Sequence, residues 1–116
     1  MLVKSLKETN RELIGLKEYQ KTAEEMMKDR QEKLIIDLRK QEDYKKGSVE
    51  GAINIYWEEF DGKLDALPKD RMLYLLCYTG ETSDEYARYL QGQGYSAYSI
   101  VEGYRGYLRW SLMQIG

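Results

Sequence analysis

The sequence predicts an α/β fold in which helices cover both faces of a central parallel sheet. Short, continuously apolar runs occur along its 116 residues, and such runs are typical of strands buried on both faces. Segments with helical periodicity or capping signals separate these runs, and strands that alternate with helices form parallel sheets. A chain of this length is expected to form one globular unit with a sizeable core.

The N-terminal region, residues 1–32, is predicted to be helical and to pack on the remaining unit, residues 33–116. The spacing of a helix capping box occurs twice in this region, at Ser5 with Glu8 and at Thr22 with Glu25. One helical face would carry the apolar side chains of Leu6, Leu13, Ile14, Leu16, Tyr19, Ala23, Met26 and Met27. Gly15 would divide the region into two helices.

Four apolar runs are predicted to be strands, and they are residues 34–38, 52–55, 72–77 and 97–101. The helices expected around them are residues 41–46, a short helix near 58–60, residues 83–91 and residues 104–113. Glycines would end two of these helices, Gly47 the first and Gly92 or Gly94 the third. Strands and helices therefore alternate over most of the chain.

The charge and hydropathy of the chain exclude several classes of protein. The 18 basic and 20 acidic side chains leave a net charge of −2, so the charge balance does not favour nucleic acid binding. No apolar stretch reaches membrane-spanning length, and the first ten residues are too polar and too acidic for a signal peptide. We therefore expect a cytoplasmic protein that has neither a membrane nor a nucleic acid as its partner.

The single cysteine, Cys77, is the candidate reactive residue. It ends an apolar run, and a short loop with Gly80 leads from it to the predicted helix start at Ser83. Loop amides and a helix N-terminus stabilise a thiolate and form a cradle for anions. Because histidine is absent and cysteine occurs once, a Cys–His pair cannot form within one chain. We expect no metal and no other cofactor, and any sulfur chemistry must be completed by an external thiol.

Four segments, taken in order, resemble motifs of the rhodanese family of sulfurtransferase domains. They are L-I-I-D-L-R at 34–39, G-S-V-E-G-A-I-N-I at 47–55, L-L-C-Y-T-G-E-T-S at 75–83, and G-Y-S-A-Y-S-I-V-E-G-Y-R-G-Y at 94–107. Ser48 and Glu50 replace a histidine and a proline that are common in the family. The resemblance implies a three-layer rhodanese-like fold with about five strands. The N-terminal region would then stand in for the family's short first strand and helix.

The resemblance also implies a single-domain sulfurtransferase that works through a persulfide on Cys77. The sulfur would come from a small donor or a persulfidated carrier protein, and an external thiol or cyanide would remove it. The cradle for the terminal sulfur would be the loop amides of Tyr78, Thr79, Gly80, Glu81, Thr82 and Ser83. The hydroxyls of Thr82 and Ser83 would donate to the sulfur, although Ser83 could equally serve only as the helix N-cap. Gly80 would allow a positive φ.

Acidic side chains follow the cysteine, and this affects which donor the loop would accept. No basic residue occurs from Cys77 to Asp84, whereas Glu81, Asp84 and Glu85 add negative charge. This charge opposes the approach of a dianion such as thiosulfate. We therefore expect thiosulfate to be a poor donor compared with a carrier protein, a polysulfide or a small persulfide.

Other side chains near the loop have structural interpretations. Arg39 is expected to form an ion pair with an acidic neighbour such as Asp43, and Arg105 to have a similar role. Tyr78 would form a wall at the mouth of the pocket.

Two other function classes remain open. The first is a cysteine phosphatase or an arsenate reductase of related fold; such a cysteine phosphatase would need an arginine at the end of the loop, where this sequence has Thr82 and Ser83. A non-catalytic module that binds another protein, or a redox-sensing thiol, is the second alternative.

Overall fold

The computed structural model describes residues 15–114, which form five strands and five α-helices. The strands are β1 (Gln20–Lys21), β2 (Lys33–Asp37), β3 (Ile53–Asn54), β4 (Met72–Leu76) and β5 (Ser96–Ile100). The helices are α1 (Ala23–Lys28), α2 (Gln41–Lys46), α3 (Trp57–Phe60), α4 (Glu81–Gly92) and α5 (Gly103–Met113), with a 3₁₀ helix at Asp61–Ala66. All strand pairs are parallel, in the order β1-β5-β4-β2-β3, which confirms the predicted α/β fold.

Strand β4 lies at the centre of the sheet, between β2 and β5. Leu75 pairs with Ile36 of β2 on one side and with Ser99 of β5 on the other. Because every strand runs in the same direction, the segments that follow β2, β4 and β5 meet at one edge of the sheet. Cys77 follows the central strand directly and therefore lies in the middle of this edge.

Two hydrophobic clusters, one on each face, hold the helices on the sheet. In the first, Leu73, Leu75 and Cys77 pack with Phe60 of α3 and with α4. In the second, Tyr74 and Leu76 pack with α1, and tyrosines of α5 cover them. Successive β4 residues alternate between the clusters, as the pleat of a strand requires. The side chain of Cys77 consequently faces the side of the sheet that α4 covers.

The prediction of a helix over residues 1–32 is wrong at Gln20–Lys21. This segment is the edge strand β1, which pairs in parallel with Ser99 and Ile100. Ser99 N donates to Tyr19 O at 2.7 Å and Val101 N donates to Lys21 O at 2.9 Å. These bonds satisfy outer-edge amides of β5, so the pairing prevails over the local helical pattern.

The second predicted capping box is confirmed. Thr22 Oγ1 accepts from the Glu25 amide at 3.0 Å, and Glu25 Oε1 accepts from the Thr22 amide at 2.9 Å. The first capping box, Ser5 with Glu8, lies outside the described residues, as do Leu6, Leu13 and Ile14. Within residues 15–114, no helix is long and apolar enough to span a membrane.

Candidate active site

Cys77 is 5% exposed and lies between the end of β4 and the start of α4. The backbone amide of Gly80 donates to Cys77 Sγ at 3.1 Å. The hydroxyl oxygen of Ser83 lies 3.5 Å from the same sulfur. An amide and a hydroxyl therefore converge on the sulfur from the loop and from the first turn of α4, an arrangement that stabilises an anionic sulfur.

Gly80 is the residue that shapes the loop. Its φ of +106° confirms the prediction of a positive φ, which residues with a side chain adopt only under strain. Gly80 is also the N-cap of α4, because the helix begins at Glu81. The alternative that Ser83 caps the helix is wrong, since Ser83 lies in the first turn and is fully buried. The left-handed glycine reverses the chain so sharply that the helix begins at Glu81, two residues earlier than predicted.

Of the six residues proposed as the cradle, the structure brings Gly80 and Ser83 to the sulfur. The other four, Tyr78, Thr79, Glu81 and Thr82, are all described but form no hydrogen bond with Cys77 Sγ. Glu81 and Thr82 nevertheless supply amides to the first turn of α4. The first N–H groups of a helix have no intrahelical acceptor and form its positive end, which adjoins the sulfur.

The backbone at the start of α5 forms hydrogen bonds with the backbone of the loop. The amides of Tyr104 and Arg105 donate to Cys77 O at 2.8 Å and to Tyr78 O at 3.4 Å. Glu102 and Gly103 both have left-handed backbone, with φ of 60° and 55°, which turns the chain from β5 into α5. These residues are absent from the site that the sequence predicts, although the glycine turn after the last strand is a visible signal.

Arg39 forms a buried ion pair, as predicted, but its partner is Asp37 rather than Asp43. Arg39 Nη2 lies 2.7 Å from Asp37 Oδ2 and also donates to Gly47 O at 2.6 Å. Ser48, at the position of the family's histidine, donates its hydroxyl to Asp37 Oδ2 at 2.7 Å. Burial opposes the charge of Arg39, but the hydrogen bond to Asp37 and the charge of Asp37, with smaller contributions from other neighbours, together outweigh it and raise the pKa of Arg39. The Arg39 guanidinium therefore has a structural role.

Tyr78 is exposed beside the loop, where its hydroxyl donates to the carboxylate of Asp43. This hydrogen bond raises the pKa of Tyr78. The guanidinium of Arg39 lies 5.9 Å from the centre of the Tyr78 ring and 3.8 Å from that of Tyr104. Asp43 is thus a partner of Tyr78, which sequence reasoning missed because the two residues are 35 positions apart.

The acidic residues around the loop differ in their surroundings. Glu81 and Glu85 are exposed on α4, whereas Asp84 Oδ2 accepts from Gln20 Nε2 of β1 at 3.1 Å. Glu102 forms an ion pair with Arg109, and Arg105 is exposed. The side chain of Glu81, at the first position of α4, therefore contributes negative charge next to the loop.

Comparisons with known proteins agree with this geometry. Residues 19–111 match the family model described as rhodanese-like domain. A tRNA sulfurtransferase of Desulfurococcus amylolyticus is 39% identical over 74 residues, which are 64% of this chain and 14% of that protein. The thiosulfate sulfurtransferase GlpE of Shewanella oneidensis is 32% identical over 71 residues, which are 60% of this chain and 70% of that protein. The chain thus spans only a small part of the first of these relatives.

Solved structures share the fold. A rhodanese-like domain protein from Staphylococcus aureus superposes with a TM-score of 0.65, at 21% sequence identity, over 76% of this chain and 89% of that chain. At this identity the likeness concerns the fold alone.

Proposed function

This chain belongs to the rhodanese-like domain family, and from that membership we propose that it is a sulfurtransferase that carries sulfane sulfur as a persulfide on Cys77. The observation that carries the proposal is the convergence of the Gly80 amide and the Ser83 hydroxyl on Cys77 Sγ. The relatives named as sulfurtransferases support the reaction class.

The proposed reaction has two displacement steps at sulfur. In the first step, the Cys77 thiolate attacks the sulfane sulfur of the donor. The S–S bond of the donor breaks, and its electron pair leaves with the remainder of the donor. In the second step, an acceptor thiolate or cyanide attacks the terminal sulfur of the persulfide. The Cys77 S–S bond then breaks, and its electron pair restores the thiolate.

The residues of the loop would stabilise the anionic sulfur in both steps. The Gly80 amide is already within hydrogen-bond distance of Sγ, and the first amides of α4 add the positive end of a helix. The amides of Tyr104 and Arg105 would hold the loop in this conformation, since they bind the carbonyls of Cys77 and Tyr78.

We further propose that a persulfidated carrier protein, a polysulfide or a small persulfide is a better donor than thiosulfate. The exposed carboxylate of Glu81 adjoins the loop, and the nearby guanidinium of Arg39 is already paired with Asp37. An incoming dianion would therefore meet negative charge. We place the reaction in the cytoplasm, whose reduced thiols would serve as acceptors.

Intact-protein mass spectrometry tests the proposal. The reduced protein is exposed separately to thiosulfate, a polysulfide and glutathione persulfide, with Cys77→Ser as the control. We expect a gain of one sulfur atom that cyanide or a thiol reverses and that Cys77→Ser does not show. If the folded, reduced protein forms no persulfide with any donor, the non-catalytic binding module or redox-sensing thiol becomes the better interpretation.

A further inference from the structure

A second buried hydroxyl lies behind Ser83. Ser99 of β5 is fully buried, and its Oγ lies 2.7 Å from Ser83 Oγ. Ser83 Oγ in turn lies 3.5 Å from Cys77 Sγ and 3.2 Å from Gly80 O. A chain of polar atoms therefore runs from the central region of the sheet, through the first turn of α4, to the sulfur.

The direction of these hydrogen bonds follows from counting protons. Each serine hydroxyl has one proton to donate. Among the described residues, the side-chain oxygen of Ser99 forms its hydrogen bond with Ser83 Oγ. If Ser83 were the donor in that bond, the Ser99 proton would be buried without an acceptor, which is costly. Ser99 therefore donates to Ser83, and the proton of Ser83 remains for Gly80 O or for Cys77 Sγ.

We propose that Ser99 is a positioning residue that biases the Ser83 hydroxyl to donate to the Cys77 sulfur. By donating to Ser83 Oγ, Ser99 occupies one of its lone pairs and strengthens Ser83 as a donor. When the sulfur is a thiol, the Ser83 proton is directed to Gly80 O. When the sulfur loses its proton to solvent, rotation of the Ser83 hydroxyl directs its proton to Sγ, and no heavy atom moves.

Removal of Ser99 would weaken this preference. Without the polarising bond from Ser99, the Ser83 hydroxyl is a weaker donor to the thiolate, and both lone pairs of Ser83 Oγ are free to accept from the Cys77 S–H group, so the thiol gains relative to the thiolate. Ser99 does not touch the sulfur itself, so its effect passes through Ser83. The importance of this effect for sulfur transfer rests on the proposed function, but the hydroxyl pair itself does not.

The charged and titratable groups around the loop would be unchanged by a substitution at Ser99. They are Asp37 at the end of β2 and Arg39 after it, Tyr78 in the loop, Glu81 and Asp84 on α4, and Glu102 and Arg105 at the start of α5. A change in the ionisation of the sulfur in a folded Ser99 variant would therefore report the hydroxyl pair.

The test is the rate of Cys77 alkylation by iodoacetamide as a function of pH, with no sulfur donor present. We expect Ser99→Ala to shift the midpoint of this profile upward by about half a pH unit, which is about threefold less thiolate below the midpoint. Ser96→Ala, at the exposed beginning of the same strand, is the matched control and should leave the midpoint unchanged. An unchanged midpoint in folded Ser99→Ala would overturn the proposal.

Two further sets of variants test whether the effect of Ser99 passes through its hydroxyl and through Ser83. In a Ser83→Ala background, Ser99→Ala should have no additional effect, because the intermediate hydroxyl is missing. If Ser99→Ala does not fold, Ser99→Thr and Ser99→Val have matched shapes and differ by the hydroxyl. We expect Thr to keep the midpoint and Val to raise it, and equal midpoints would refute the proposal. Because alkylation needs no donor, this result is independent of whether the protein forms a persulfide.

Discussion

Gly103 packs directly against the carbonyl group of Cys77. A Cβ atom on Gly103 would lie 2.3 Å from Cys77 O, far closer than a real contact allows. The next amide, that of Tyr104, donates to the same oxygen at 2.8 Å. The loop after β4 and the start of α5 are therefore in backbone contact, and the position of Cys77 depends on a glycine 26 residues away.

We expect Gly103→Ala to destabilise the protein by about 2–4 kcal/mol, because the new Cβ meets backbone that cannot move away easily. The left-handed φ of 55° adds strain for any residue with a side chain. Urea denaturation measures the change. Gly92→Ala is the control, since among the described residues no atom beyond its chain neighbours and its own helix backbone lies within 4 Å of the added Cβ, and it should be neutral or slightly stabilising. Equal stability of the two variants would contradict the prediction.

The buried ion pair of Asp37 and Arg39 predicts that a nearly isosteric substitution of Asp37 lowers the free energy of unfolding strongly. Asp37→Asn leaves the guanidinium of Arg39 buried without its counter-charge, and we expect a loss of about 3 kcal/mol or more in urea denaturation. Glu24→Gln breaks the exposed pair between Glu24 and Lys28 and should cost less than about 0.5 kcal/mol. If both variants lost the same small amount, Arg39 would not need Asp37 for its burial.

The bond between Tyr74 and Asp29 predicts a pH-dependent contribution to stability. The Tyr74 hydroxyl donates to Asp29 Oδ2 at 2.6 Å. Burial alone would raise the pKa of Asp29, but the hydrogen bond from Tyr74 and other contacts outweigh it and lower this pKa. A lowered folded-state pKa gives stability that is complete above the unfolded pKa, near pH 4, and is lost as the pH falls through the folded pKa.

Tyr74→Phe should therefore destabilise the protein by about 1–2 kcal/mol at neutral pH and by less at about pH 3. Urea denaturation at the two pH values measures both losses. Tyr98→Phe is the matched control on the neighbouring strand, because the Tyr98 hydroxyl forms no hydrogen bond among the described residues. A loss for Tyr74→Phe that is identical at both pH values would show that the bond does not depend on the charge of Asp29.

The exposed carboxylate of Glu81 predicts that its removal improves the use of thiosulfate. We expect Glu81→Gln to raise the rate of thiosulfate-dependent thiocyanate formation by about two- to fivefold at low ionic strength, since repulsion of the dianion is relieved. The gain should disappear in about 1 M salt, where charges are screened within about 3 Å. Glu32→Gln removes an exposed carboxylate at the opposite edge of the sheet, before β2, and should change nothing. No gain for Glu81→Gln, or a gain that persists in high salt, would disprove the electrostatic argument.

The strands that the sequence predicts are those with a strong local signal. The apolar run before Cys77 was predicted to end at the cysteine, and β4 is Met72–Leu76. The capping box of Thr22 and Glu25 was found because both partners lie within one helical turn. Strand β1 was missed because two polar residues, Gln20 and Lys21, show no strand pattern and pair only where β5 offers a free edge.

In the loop after β4, too, local sequence predicts some features, whereas others depend on contacts with distant residues. The positive φ of Gly80 could be expected from the short connection between a strand and a helix. The helix start at Glu81 could not, because Ser83 is also a good N-cap residue and local rules favour it. The side chain of Ser83 turns inward instead, towards Ser99, which follows it by 16 positions.

The sequence by itself determined the fold class, the family and the candidate cysteine, since periodicity, capping signals and ordered motifs are properties of neighbouring residues. Only the tertiary structure decided which groups surround the sulfur and which charges are already paired. The choice of Asp37 for Arg39, the support of Cys77 by the start of α5 and the pairing of Ser83 with Ser99 all depend on how the elements pack. Two residues that are distant in the sequence form a hydrogen bond only where packing brings their polar atoms within hydrogen-bond distance. The local sequence does not encode that distance.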